Sequence, residues 1–347
     1  MYVSYVLDPS WSHAKQHLVV HATRYSNLHK TDRSSDHRVD STDQRALSET
    51  LKLIFNLSQY YPDRSDAFRT LLEPLFSILS HIPLQPHPLE PPVNYLINAL
   101  LNSPLEPPGT HNPDVTDVLP SSPLFPVSAP NSHTERLVDI LDRSIQIYSE
   151  EMLETTIIPL VTLLRRVNEL APSSTVKRMS EILLPSDTER DQPLGASDTL
   201  ASRLLKLSTT PVAAQVREGI SSLLFELSGK DPATFVRNVG YGYAAGFLTT
   251  HKLPIPEGSL QEDVGAKVTN VDGREINPIT GQRRDMEPPD PGLDMTDEEK
   301  EQEAERLFVL FERLKATGVM NVSNPVELAA RQGQLEEIED EEDSGGE

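Results

Sequence analysis

At 347 residues the chain is long enough for two ordinary domains or one elongated one. It has no cysteine, which excludes disulfides and thiolate metal sites and fits a reducing compartment. With 53 acidic against 31 basic residues the formal charge is −22, which argues against nucleic-acid backbones and anionic lipid as ligands and for protein partners with basic patches.

Residues 1–45 are polar, rich in histidine and weakly periodic, and hold the single tryptophan, Trp11. They read as a disordered or atypical leader. His13, His17 and His21 share one helical face by spacing, but the glutamate of a zinc-binding H-E-x-x-H is absent, so no metal site is assigned. The first ten residues lack the charged and apolar regions of a secretory signal. No stretch reaches the roughly 18 apolar residues of a membrane-spanning helix, and a cytoplasmic protein is expected.

From Ala46 the pattern sharpens. Leu47, Leu51, Ile54 and Phe55 recur at helical spacing, and the pattern returns at Val93–Leu100, so that Leu51 maps to Val93 and Asn56 to Asn98. A recurrence of this length falls within the period of about 40–47 residues of armadillo and HEAT repeats. Asp66–His81 supplies another amphipathic helix, stopped by Pro83. Asparagine is a poor residue inside a helix, so Asn56 and Asn98 at one register need a reason. They either line a peptide-binding groove or satisfy a neighbouring turn of the stack. Residues 103–133 read as a proline-rich loop interrupting the repeats.

A second helical block begins at Thr134, with stripes Leu137, Ile140, Leu141, Ile145 and Ile157, Leu160, Val161, Leu164, followed by Ser197–Lys206 and Val212–Leu227. Arg165 and Arg166 lie on the polar side of the second stripe. They read either as a clamp for a partner's carboxylate or as a solvated helix face. Phe235–Leu248 holds Gly240, Gly242 and Gly246 in a G-x-G-x-x-x-G spacing. The dinucleotide fingerprint is G-x-G-x-x-G after a strand, and here a helix precedes, so Gly240 and Gly242 read as a tight break and Tyr243–Leu248 as a short helix.

Residues 251–293 lack periodicity and read as an irregular, flexible connector. Ser259 has an acid three positions on, at Glu262, a pattern that acidophilic kinases read. Met295–Lys315 is the clearest helix. Thr296 and Glu299 form a capping box, Gly318 ends it, and Leu307, Phe308 and Phe311 lie on one apolar face. Residues 318–347 read as a disordered acidic tail. No Walker loop, G-x-S-x-G or H-E-x-x-H occurs, so the residues indicate neither an enzyme nor a cofactor.

Three ordered blocks carry a resemblance: Val239–Leu248, Ile276–Gly281, and Gly292–Lys300 with the helix it opens. Together they resemble the synembryn family, exchange factors and folding chaperones of heterotrimeric G-protein α subunits. The resemblance extends more weakly back to about Ala46. It implies an all-α armadillo/HEAT-like solenoid over 46–250 with a capped C-terminal helix at 294–317, lacking the N-terminal repeats of the family. It also implies a monomer that binds an α subunit and stabilises its nucleotide-free state, with a cytoplasmic and cortical location through that partner. The expected contact residues are Asn56, Asn98, Arg165, Arg166, Leu307, Phe308 and Phe311, and Ser259 is an expected phosphorylation site. An armadillo adaptor without exchange activity and an inactive truncated fragment remain the alternatives. Without upstream repeats, apolar surface around Leu51, Ile54 and Phe55 is expected to be exposed.

Overall fold

The computed structural model describes residues 2–28, 40–106, 122–254, 269, 273–287, 302, 305 and 306. The chain divides into two compact units, 1–287 and 288–347. Of the second, the three described residues, Gln302, Glu305 and Arg306, are helical and exposed.

The first unit is built from helices. In chain order they are α1 (Tyr2–Leu28), α2 (Ser41–Tyr60), α3 (Ser65–Arg69), α4 (Leu72–His81), α5 (Val93–Leu101), α6 (Ser132–Ile147) and α7 (Glu150–Thr156). They continue with α8 (Ile158–Leu170), α9 (Ser173–Leu183), α10 (Leu200–Leu207), α11 (Ala214–Leu227), α12 (Pro232–Val239) and α13 (Tyr241–Thr250). Among the described residues there is no β-strand, only isolated bridges such as Ile276 with Arg283. The expected all-α helical-repeat solenoid is therefore the fold.

The helices stack in two rows. One runs α2, α5, α8, α11, α13, each packed on the next; the other runs α1, α4, α6, α9, α10. Pairs such as α1 with α2, α4 with α5 and α6 with α8 join the rows. One continuous core of leucine, isoleucine and valine lies between them, including Leu51, Leu75, Leu96, Leu141, Leu164 and Leu223. Each helix has a single apolar stripe and buries it only against its neighbours, so the stack is stable as an array. Helix starts are set locally. The side chains of Asp40, Ser149, Thr199 and Asp231 accept from the second or third amide of α2, α7, α10 and α12. The α11 terminus has no cap of its own. The Glu154 carboxylate of α7 reaches across instead, accepting from Gln215 N at 3.0 Å and Val216 N at 3.2 Å.

Four expectations need correction. The leader is not wholly disordered, because residues 2–28 form α1. Its stripe Ala14, Leu18, Ala22, Tyr25 is buried, and Trp11 meets Phe68 edge-on with centroids 4.6 Å apart. The stripe was hidden because small and polar residues dilute it. As a result Leu51 and Ile54 are fully buried and Phe55 half-buried, so the expected bare edge is covered by α1. Asp66–His81 is not one helix; it breaks at Thr70–Leu71 between α3 and α4. The connector is not uniformly loose, because residues 273–287 fold into a knob docked on the end of the stack, described below.

The histidine stripe also resolves. His13 and His17 are exposed, whereas His21 is buried in the core. Burial, then the charge of Arg24, pulls the pKa of His21 below its usual value. His133 on α6 is likewise buried, stacked on Phe76 with centroids 4.8 Å apart and its Nδ1 3.0 Å from Leu124 O. Burial lowers its pKa too, the bond to Leu124 only partly opposing. Both side chains stay neutral in the folded state, while the unfolded chain takes up protons near the ordinary histidine pKa of about 6.5. Their contribution is fully present above about pH 6.5 and is lost as pH falls toward the lowered folded values. The melting temperature should therefore drop between pH 7.5 and pH 5.5. In His133→Gln that drop should be shallower in a calorimetric titration.

Candidate partner-binding face

The predicted contact residues of the repeats lie on three helices of one row, α2, α5 and α8. Asn56 on α2 is exposed and Asn98 on α5 is half-buried. Neither side-chain amide hydrogen-bonds to a described residue, so neither is taken up by a neighbouring turn of the stack. Around them, Asn102 Nδ2 donates to Gln59 Oε1 at 3.0 Å, and Lys52 Nζ lies 5.4 Å from the centre of the Tyr95 ring. Both pairs are 43 residues apart, one more than the sequence offset of 42 that relates Asn56 to Asn98. Asn56 is the more exposed of the two and Asn98 the more enclosed.

Arg165 and Arg166 are committed within the stack and do not form an open pair. Arg165 grips Glu226 of α11 in a fork, with Nε 3.1 Å from both carboxylate oxygens and Nη2 2.6 Å from Oε1. That hydrogen bond raises the pKa of Arg165 further, against the opposing effect of burial. Arg166 donates from Nη1 to Leu101 O at 2.6 Å, covering the C-terminus of α5, and from Nη2 to Glu106 Oε1 at 2.7 Å. Burial works to raise the Glu106 carboxyl, but the Arg166 hydrogen bond and charge hold it below the usual range. The two arginines thus tie α8 to α11 on one side and to α5 on the other. Between α8 and α11 lies a shallow recess of about 250 Å³ that carries both signs of charge, with Glu169 and Lys230 on its rim.

Two of the three sequence blocks that carry the family resemblance meet at the far end of the row. Val239–Leu248 contains the α12–α13 junction, where Gly240 has φ +80°. Ile276–Gly281 forms the knob that docks there. Pro278 O accepts from Tyr241 N at 2.7 Å and Ile279 O from Gly242 N at 3.1 Å. The start of α13 is therefore filled by the chain's own carbonyls, which leaves no place for a phosphate at this glycine-rich turn. A Cβ on Gly240 would lie 3.0 Å from Ile279 O, so glycine is required by both backbone angle and space. Arg190, which no motif had singled out, is buried beneath this joint. Its guanidinium donates to Gly281 O at 2.9 Å, Asn238 O at 2.9 Å and Arg237 O at 3.1 Å. Ser259, Leu307, Phe308 and Phe311 lie outside the described residues.

No helix among the described residues is long and apolar enough to cross a membrane. The family described as guanine nucleotide exchange factor synembryn matches residues 9–334. The match begins well before Ala46, so α1 is part of the family's pattern. The chain is 32% identical over 171 residues to a synembryn-like chaperone of Schizosaccharomyces pombe, covering 47% of this chain and 32% of that protein. It is 32% identical over 166 residues to Chaperone Ric-8A of Mus musculus, covering 46% and 30%. Against Chaperone Ric-8A of Gallus gallus it is 27% identical over 216 residues, covering 60% and 39%. The matched segment thus spans between 30% and 39% of these relatives' length. A family match over nearly the whole chain, on a helical-repeat stack whose end is built from two of the family's sequence blocks, makes this protein a member of the synembryn family.

Proposed function

We propose that the protein is a guanine nucleotide exchange factor and folding chaperone for heterotrimeric G-protein α subunits. The observation that carries this reading is the family match over residues 9–334. The mechanism is differential binding: the repeat face holds the nucleotide-free α subunit more tightly than the GDP-bound one, so the population shifts and GDP leaves. No covalent chemistry is required of the chain. A folding chaperone acts by the same preference, because an empty, loosened α subunit is what the face stabilises. The protein works as a monomer in the cytoplasm and at the cell cortex, where its partner takes it.

In this reading Asn56 and Asn98, whose amides are free among the described residues, bond the backbone of the last segment of the G-protein α chain. Arg165 and Arg166 shape the face by holding α5, α8 and α11 in register. The helix at 295–315 contributes Leu307, Phe308 and Phe311 to a second contact, and phosphorylation of Ser259 strengthens engagement by adding charge that arginines can pair. The experiment is GDP release from purified α subunits together with affinity for a peptide copied from the C-terminal end of the same G protein. The protein should accelerate release. Asn56→Ala combined with Asn98→Ala should weaken the peptide about tenfold, as expected for two lost hydrogen bonds. Phe308→Ala with Phe311→Ala should slow release while leaving peptide affinity unchanged. Peptide binding with no effect on GDP release would instead make the chain an armadillo-type adaptor.

A further inference from the structure

The helix α13 is a poor helix by composition. Gly242 and Gly246 lie inside it, it ends on Thr249 and Thr250, and no side chain caps its start. Its first two amides are instead satisfied across the chain, by Pro278 O and Ile279 O of the knob. Ala244, Phe247 and Leu248 are buried, the Tyr241 and Tyr243 rings pack against the core, and Tyr243 OH donates to Leu194 O at 2.9 Å, but the backbone amides of Tyr241 and Gly242 are satisfied only by the knob.

The knob in turn is folded by its own small set of bonds. Asn277 Oδ1 accepts from Ile279 N at 2.9 Å and Thr280 N at 3.3 Å, while its Nδ2 donates to Glu287 Oε1 at 2.7 Å. Asn277 N donates to Gln282 O at 2.7 Å and Gly281 N to Asn277 O at 2.8 Å, which closes the turn. Gly281 has φ +69°, and a Cβ there would collide with Leu194. Outward, Thr280 O accepts from Leu194 N at 3.2 Å, and Arg283 N donates to Arg190 O at 2.8 Å. Gln282 is buried and donates to Asp191 O at 3.2 Å. The segment therefore serves as a backbone partner for two stretches of the stack, at 190–194 and 241–242.

We propose that residues 273–287 and α13 form a single latch, so that docking of the knob and helicity of the first turn of α13 are one cooperative equilibrium at the end of the stack. Arg190 is its positioning residue, since one guanidinium holds the knob at Gly281 and the end of α12 at Arg237 and Asn238. When the latch opens, α13 loses the carbonyls that cap its first turn. The proposal concerns the chain alone and stands whether or not the protein drives nucleotide exchange.

Hydrogen exchange of the whole chain, read at individual amides, tests it. Asn277→Ala removes bonds that lie wholly within the knob and touches no residue of α13. Exchange at the amides of Gly281 and Arg283 should accelerate about tenfold, and Tyr241 and Gly242 should accelerate by the same factor, while α2, α5 and α8 keep wild-type protection. Gly281→Ala, which disturbs the knob from the Leu194 side, should reproduce the pattern. Faster exchange in the knob with unchanged protection of Tyr241 and Gly242 would overturn the proposal. So would wild-type exchange at all four amides in both variants.

Discussion

Leu18→Asp is expected to unfold much of the N-terminal part of the stack, at a cost of about 4–5 kcal/mol or more. Leu18 is fully buried in the core, on a helix that packs against both α2 and α4. A carboxylate placed there enters the apolar core that Leu18 shares with Ala14, Ala22 and Tyr25. It must either be buried unpaired or take up a proton, and both cost more than the lost apolar contact. The adjacent Val19 is the control. Its side chain is 45% exposed, so Val19→Asp should change stability by no more than about 0.5 kcal/mol. Chemical denaturation of the two variants separates an integral first helix from an attached leader. Equal stabilities would mean that α1 does not close the core around Leu47, Leu51 and Ile54. Burial of those three residues by α1 is also what removes the apolar edge expected of a stack that began at Ala46.

Arg190→Ala should lower stability by about 3 kcal/mol, because three carbonyls lose a charged donor in a site of low water content. The Arg190 side chain is 5% exposed and its Nε lies 3.8 Å from Asp187 Oδ1, so the carbonyl bonds and not an ion pair define its place. Burial pulls its pKa below the usual arginine value, and Asp187 and Glu189 oppose that. Arg190→Lys is the informative companion. A lysine keeps the charge but is a point donor on a flexible stem, and it cannot serve Gly281 on one side and Arg237 with Asn238 on the other in a fixed fork. It should recover less than half of the lost stability. Full recovery would show that charge near the end of α12 suffices and that the planar geometry is dispensable.

Much of this protein was readable before its structure. The fold class came from leucine-rich stripes at helical spacing and their return after 42 residues. Periodicity is a local property, and a helix must turn its stripe toward whatever buries it. The break at Gly240 was equally legible, since a glycine between two helical patterns signals a positive φ. The family followed from three ordered blocks.

Other features depended on contacts far apart in the chain, and these only the tertiary structure decided. The helix α1 escaped notice because Ala14, Leu18, Ala22 and Tyr25 make a thin stripe whose worth depends on α4 fitting against it. Arg165 and Arg166 read as a clamp for a partner or as a solvated helix face, yet their carboxylate partners Glu226 and Glu106 lie 61 and 60 residues away in the same chain. The knob showed no period because its order comes from backbone bonds to 190–194 and 241–242, and backbone groups carry no residue signature. Sequence alone determined most of the helical stretches from α2 onward and the family they compose. How those stretches satisfy one another's charges and open helix ends was settled only in three dimensions, because a hydrogen-bonding group reveals its partner by position and not by type.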